Sequence, residues 1–309
     1  MQLPPEVYSL ILRHVGRRAD LSALCLVSKK FQTAAERELY RTLDMVDPSV
    51  TIILCEVLAK QPRLSQLVSA LALYSSEEGH GDNGSNFQER HGPFPPPSDY
   101  WASISRALQK ITHLRSLRIC MNSGIPTNHA WILSGCNFQL HTFHCDLAWD
   151  KSLVSFLAAQ PELSDLYISD FSEDIPENVL ISTRSLRQAR TLPSLSILDC
   201  TFTEAVGVFV PGRPVTHVKT CFSSSNSEAK RAELALLLAN LRLSTQPLHS
   251  LTVADESYTT TFSLEFLSSL VRAFGPTPQL RYVGPLVLPV NGREVSYTHC
   301  TRSPAAVPD

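Results

Sequence analysis

The chain has 309 residues, 43% of them apolar and 18% charged, with 27 Lys plus Arg against 29 Asp plus Glu and a formal charge of −2. That length allows one elongated domain, or a small domain beside a larger one, with a real core in either case. The near-neutral balance offers no clustered cationic excess of the kind phosphate binding needs, so nucleic acid is not an expected partner.

No apolar run approaches the ~18–20 residues of a membrane helix. The opening residues Met1 to Glu6 lack the basic start and apolar stretch of a secretory signal, so a soluble protein of the reducing cytosol or nucleus is expected. The cysteines at 25, 55, 120, 136, 145, 200, 221 and 300 are expected to be free, mostly buried thiols.

Residues 6 to 15 place Val7, Tyr8, Leu10, Ile11, Leu12 and Val15 on an apolar arc of roughly 200°, opposite Glu6, Ser9 and Arg13. A helix of that kind must bury two faces. A second short helix is expected over Leu21 to Val27 with Asp20 as its cap. A third starts at Ser28, also a capping residue, and runs through Phe31, Ala34, Ala35 and Leu39 to Tyr40. Three short helices in about 40 residues make a core small enough to need outside support.

These residues carry a family resemblance: Leu3-Pro4-x-Glu6-Val7-x-x-x-Ile11-Leu12-x-x-Val15, then Leu21-x-x-Leu24-x-x-Val27-Ser28-Lys29-x-Phe31, then Leu39-Tyr40-Arg41. Residues 1–45 resemble an F-box, and the last two segments are especially similar to the F-boxes of fungal proteins. The resemblance implies a three-helix module that docks on a Skp-family adaptor and, through it, on a cullin-RING ubiquitin ligase. It carries adaptor binding onto Leu3, Pro4, Val7, Ile11, Leu12, Leu24, Val27, Ser28 and Phe31. Some of these would touch the partner and others would shape the module, a division the sequence leaves open. The compact Arg17-Arg18 turn departs from the simplest pattern. Glu36, among charged neighbours, is expected to be a surface charge of little consequence.

Residues 46–309 read as irregular repeats. The segment LAKQPRLSQL at 58–67 returns as LAAQPELSDL at 157–166, identical at seven of ten positions. An L-x-x-L-x-apolar phase recurs from Leu114, Leu140, Leu163, Leu195 and Leu248, with partial members at Val215 and Leu280. It predicts strands near 71–74, 115–119, 142–145, 165–168, 196–200, 216–219, 249–253 and 281–283, mostly parallel. Helix-like patterns lie between them at about 49–60, 98–112, 151–160, 177–191, 226–242 and 262–274. The expected class is therefore α/β: a three-helix F-box followed by a solenoid that resembles degenerate leucine-rich repeats, parallel strands alternating with helices. A plain α/β domain is the alternative. Cys120, Asp146, Asp170, Thr201 and Asp255 sit near the turn after each strand, where a polar ladder would be irregular or broken. Residues 75–98, rich in Gly, Pro, Ser and charge, are expected to be a disordered insertion.

Chemistry-bearing motifs are weak. Gly79 to Gly84 fits G-x-G-x-x-G, but prolines follow where a phosphate-binding helix should open. Cys136, His141, His144, Cys145 and Asp146 are dense in potential ligands but lack the tight-turn spacing of zinc sites, and strand alternation sends His144 and Cys145 to opposite faces. No catalytic residue, cofactor site or metal site is expected. The function these features imply is substrate recognition in a Skp-cullin-F-box ligase, with an unknown protein target on the repeat region and no membrane partner. The alternative is a repeat scaffold outside any ligase, with the N-terminal helices as its cap.

Overall fold

The computed structural model describes residues 4–74, 99–121, 127–169, 177–224, 226–255, 258–275, 279–284, 286–290 and 293–295. Leu3, the expected insertion at 75–98 with its glycine motif, Asp170 and Cys300 lie outside them. The chain forms two compact units, Met1–Leu195 and Ser196–Asp309.

The first unit opens with α1 (Pro5–Arg13), α2 (Arg18–Leu24) and α3 (Lys29–Arg41). It continues with β1 (Thr42–Met45), α4 (Pro48–Lys60), α5 (Pro62–Ser65), β2 (Ala70–Tyr74), α6 (Tyr100–Leu108) and β3 (Ser116–Cys120). A 3-10 turn at Ala130–Leu133 leads to β4 (Thr142–Cys145), α7 (Lys151–Ala158), β5 (Asp165–Ile168) and α8 (Glu177–Leu186). Strands β1 to β5 pair in chain order and all parallel, with Leu43, Leu71, Leu117, Phe143 and Leu166 in register.

In the second unit the order is β6 (Ile197–Cys200), α9 (Glu204–Phe209), β7 (His217–Cys221), α10 (Ser227–Leu241), β8 (Ser250–Ala254), α11 (Thr260–Phe274) and β9 (Tyr282–Val283). Its four strands are again parallel, Leu198, Val218, Leu251 and Val283 falling in register. An antiparallel pair, β10 (Leu288–Val290) and β11 (Arg293–Val295), follows. Among the described residues no helix is long and apolar enough to cross a membrane.

Each repeat enters its strand through the same pair of backbone bonds. The carbonyl of Ser69 accepts the N–H groups of Arg115 and Ser116, at 2.8 and 3.1 Å, and that of Arg115 accepts those of His141 and Thr142, at 2.8 and 3.1 Å. The carbonyl of His141 then takes Ser164 and Asp165, both at 3.0 Å. In the second unit Ser196, Thr216 and His249 repeat the arrangement toward the next strand. Each of these residues follows a buried leucine or valine, namely Val68, Leu114, Leu140, Leu195, Val215 and Leu248, and all but Val68 are the first apolar residue of the L-x-x-L-x-apolar phase named above. The apolar phase therefore predicts the strands because it marks the positions that anchor their first hydrogen bonds.

Local chemistry starts the helices. Asp47 Oδ1 accepts from Ser49 N (2.8 Å) and Val50 N (3.0 Å), Asp150 Oδ1 from Leu153 N (2.8 Å), and Asn226 Oδ1 from Glu228 N (2.8 Å). Pro48 and Pro62 sit at helix N-termini, where a missing N–H costs nothing. Three features differ from the sequence expectation. Strand β1 follows α3 with no breaker residue to announce it, and α9 has no polar stripe because Ala205, Val206, Val208 and Phe209 are all buried. The antiparallel β10–β11 pair is the third. Of the seven described cysteines, none in a disulfide, Cys55, Cys145 and Cys200 are buried and four are half-buried, so the expected burial is only partly met.

The second unit buries an ion pair: Lys230 Nζ lies 2.6 Å from Asp255 Oδ2, their side chains 4% and 8% exposed. Lys230 comes from the first turns of α10 and Asp255 from the end of β8, so the pair ties a helix to the strand after it. Removing one partner leaves the other charge desolvated, which costs about 3–5 kcal/mol, whereas replacing both with apolar groups is close to neutral. Lys230→Met should therefore lower the denaturation midpoint sharply in a urea titration, and Lys230→Met with Asp255→Leu should recover most of the loss. Equal losses in the single and double variants would show that the pair is not what holds this corner.

Candidate functional site

The three N-terminal helices build a small core of their own. Leu12 of α1, Leu21 of α2 and Ala35 of α3 are buried, and Val15, Leu24, Cys25, Phe31, Ala34 and Leu39 pack around them half-buried. Tyr8 meets Phe31 edge-on, their ring centroids 4.8 Å apart at 89°, the geometry aromatic quadrupoles favour. Ser28 caps α3 by accepting the Phe31 N–H at 3.3 Å, as the sequence implied. Helix α2 departs from expectation. It begins after Arg17, with no side-chain cap, and Asp20 lies inside its first turn rather than capping it.

Arg18, part of the turn that breaks the simplest pattern, is the clasp of this module. Its guanidinium donates to the Leu39 carbonyl at 2.7 Å and to the Thr42 carbonyl at 3.2 Å. It thereby satisfies acceptors at the C-terminal end of α3 and ties α2 to the start of β1.

The structure divides the residues that the resemblance grouped together. Leu12 is 1% exposed and belongs to the core, while Leu24 and Phe31 pack half-buried against it and Val7 is half-buried on α1. Ile11 and Val27 face solvent, at 43% and 63% exposure. Pro4 is exposed at the N-cap of α1, and the exposed Ser28 spends its hydroxyl on the helix cap.

Two residues left out of that group are also uncovered: Leu10 at 56% and Leu26 at 89%. A signal that this segment is uncovered was present in the sequence at Val27, beside Leu26. Val27 precedes the capping Ser28, where an apolar residue commonly packs on the fourth helical position, but that position is the polar Gln32. Val27, in the turn between α2 and α3, thus has no apolar partner on the first turn of α3 to cover it. The module presents a buried face inward and leaves four large aliphatic side chains open on its α1 and α2–α3 segments.

Glu36 is not the isolated surface charge it was expected to be. Its side chain is only 14% exposed and forms a two-pronged ion pair with Arg63 of α5, the Arg63 Nη2 contact being 3.1 Å. Gln32 Nε2 also donates to it at 3.1 Å. Hydrogen bonding to the Arg63 guanidinium holds the Glu36 carboxyl below the usual carboxylate range. The partner lies 27 residues on, so no local pattern in α3 could reveal it.

The dense ligand set around residues 136–146 does not converge. His144 Nε2 lies 3.1 Å from Asp165 Oδ1, His141 approaches Glu162 at 3.6 Å, and Asp146 accepts the Met121 N–H at 2.5 Å. Burial pushes the Cys136 thiol up to about 12, so it is protonated at neutral pH. Cys55 and Cys200 are pushed up to about 12 in the same way. Among the described residues no group of three or more His, Cys, Asp or Glu could hold a metal ion.

Residues 1–46 match the family model described as F-box-like, and the chain carries an F-box-like domain there. Comparison with curated proteins finds no match.

The Glu36–Arg63 pair sets a pH dependence. Because the folded-state pKa of Glu36 is depressed, its contribution is fully present above the ordinary value of about 4.3 and is lost as pH falls through the folded-state pKa. Glu36→Gln should lower stability at pH 7 by about 1 kcal/mol. Urea midpoints of the two proteins should converge as pH falls through the folded-state pKa of Glu36; a gap that stays constant through acid titration would show that the carboxylate charge is not the source.

Proposed function

We propose that this protein is the substrate-recognition subunit of a Skp-cullin-F-box ubiquitin ligase. The F-box-like helices hold a Skp-family adaptor, and residues 46–309 hold a protein target. The observation that carries the reading is the uncovered set Leu10, Ile11, Leu26 and Val27, beside a core with three buried side chains among the described residues. Apolar surface gains about 25 cal/mol for each Å² removed from water, so a partner seated there would stabilise both itself and the module. Ile11 and Val27 are the adaptor contacts in this reading. Leu12, Leu24 and Phe31 shape the module, Ser28 caps α3, Pro4 and Val7 complete the edge at α1, and the resemblance carries adaptor binding onto Leu3 as well.

The alternating parallel strands and helices support a leucine-rich-repeat-like solenoid for the remainder, with 75–98 as an insertion in it. The segments Val27-Ser28-Lys29-x-Phe31 and Leu39-Tyr40-Arg41 support an F-box of fungal type. Such a subunit is not itself catalytic. It raises the concentration of target lysines near charged ubiquitin, which converts an encounter between two molecules into one within a complex. It needs no cofactor, metal, nucleic acid or membrane, and would work in the cytosol or nucleus.

One observation favours the scaffold reading. Helix α3 passes directly into β1, and its last carbonyl, at Arg41, accepts the Ser69 N–H at 3.0 Å, so the helices also close the strand ladder as a cap would. Adaptor titration decides between them. Ile11→Asp and Val27→Asp, at exposed positions, should melt near wild type yet bind a Skp-family adaptor at least about tenfold more weakly, since burying either aliphatic group is worth ~1.5–3 kcal/mol. Leu12→Asp should instead unfold the module, because it puts a charge into the core. If both exposed variants melt normally and bind the adaptor as wild type does, the helices are a cap and the scaffold reading stands.

A further inference from the structure

Between α10 and α11 of the second unit lies a groove of about 770 Å³. Its floor is Leu234 and Leu238, both buried, and its walls include the small residues Ala235, Ala239 and Ser268, with Leu264 left 48% exposed. Small side chains on both walls let another backbone approach closely. At one end the groove is closed by Arg231 and Glu265, bonded across it at 2.7 and 3.0 Å, so those charges cancel. At the other end stand Arg242 and Arg272, both exposed and neither ion-paired among the described residues. The groove is therefore apolar along its length, neutral at its head and doubly cationic at its foot.

Its length follows from helix geometry. Arg231 and Arg242 are 11 positions apart (242 − 231), which at 1.5 Å per residue is roughly 16 Å, or three helical turns. Both helices run from the closed end toward the cationic end, so their negative dipole ends also face that foot. A helix lying antiparallel in the groove would bring its positive N-terminal end there. Acidic residues are most favourable in the first turn of such a helix, and in that place they would meet Arg242 and Arg272.

We propose that this groove binds an amphipathic helix of a partner protein, antiparallel to α10 and α11, carrying acidic residues in its first turn and a small apolar face over about three turns. This rests on the receptor reading in one respect: it names the docking segment of the target. The binding itself needs no adaptor.

The test uses the full chain and a fluorescent helical peptide of about 16 residues, long enough to hold a helix. Its first turn is Asp-Glu-Glu and an Ala/Leu face follows; a matched peptide has Asn-Gln-Gln in their place. In anisotropy titrations at low salt the acidic peptide should bind at least about tenfold more tightly than the neutral one. Arg242→Gln with Arg272→Gln should erase that difference, and raising the salt should erode it. Ala239→Trp, at an exposed wall position, should block both peptides while the thermal melt is unchanged.

Equal binding of the two peptides, binding indifferent to Ala239→Trp, or no binding at about millimolar peptide would overturn the proposal. So would a dimer, seen by sedimentation, that Ala239→Trp dissolves, because the occupant would then be a second copy. Adaptor titrations on the same samples keep the two ideas apart. Lost groove binding with adaptor binding intact removes only the groove, and the converse result removes only the ligase assignment.

Discussion

A single backbone carbonyl at the entry of β2, β3, β4, β6, β7 and β8, accepting two N–H groups from the next strand's entry, is the constraint on which both units depend. It sets the register of the parallel ladder before any side chain on the strand is considered. The carbonyl of Arg115, for example, holds both His141 and Thr142, and Thr142 is then paired with Ser116 by the ladder. Parallel strands need a crossover between them, and the bond at the entry can form only if each crossover returns the chain to the same height. Helix length can then vary from the six residues of α9 to the fifteen of α10 without disturbing the sheet.

That tolerance explains why the repeats are irregular in sequence yet regular in backbone. The segments 58–67 and 157–166 are nearly alike, but Gln160 is buried and its Oε1 accepts the Leu140 N–H at 2.8 Å, whereas the matching Gln61 is an exposed helix cap. What each copy retains is the pair of leucines that face the core. The polar positions between them take whatever role the neighbouring repeat offers. Asp146 accepts the backbone of Met121, and Asp255, at the corresponding turn two repeats into the second unit, holds Lys230 instead.

The N-terminal helices obey a different economy. With Leu12, Leu21 and Ala35 alone buried in their core among the described residues, they depend on connections outward: Arg18 to the Leu39 and Thr42 carbonyls where α3 passes into β1, and Glu36 to Arg63. These polar clasps leave Leu10, Ile11, Leu26 and Val27 exposed among the described residues. Isolated exposed leucines are common on protein surfaces, but two adjacent pairs of large aliphatic residues within one module of 46 residues are a different matter. Stability of the module and exposure of that surface are separable because different residues carry them.

Periodicity and punctuation in the sequence determined the alternation of strand and helix, the parallel arrangement, the Ser28 cap and the F-box-like character of the first 46 residues. These are local properties: a leucine phase, a proline stop or a capping hydroxyl acts within a few residues of itself. Strand β1 and helix α9 escaped because one is too short for its alternation to register and the other, with four of its six residues buried, has no polar stripe. Only the tertiary structure decided which residues of the N-terminal set face inward, since Ile11 and Leu12 are neighbours in a continuous apolar run and differ only by the 100° that one residue turns on a helix. It alone decided the partners of Arg18, Glu36 and Lys230, and the groove between α10 and α11. In each case the groups that meet are 20 or more residues apart, a distance over which sequence pattern carries no record of contact.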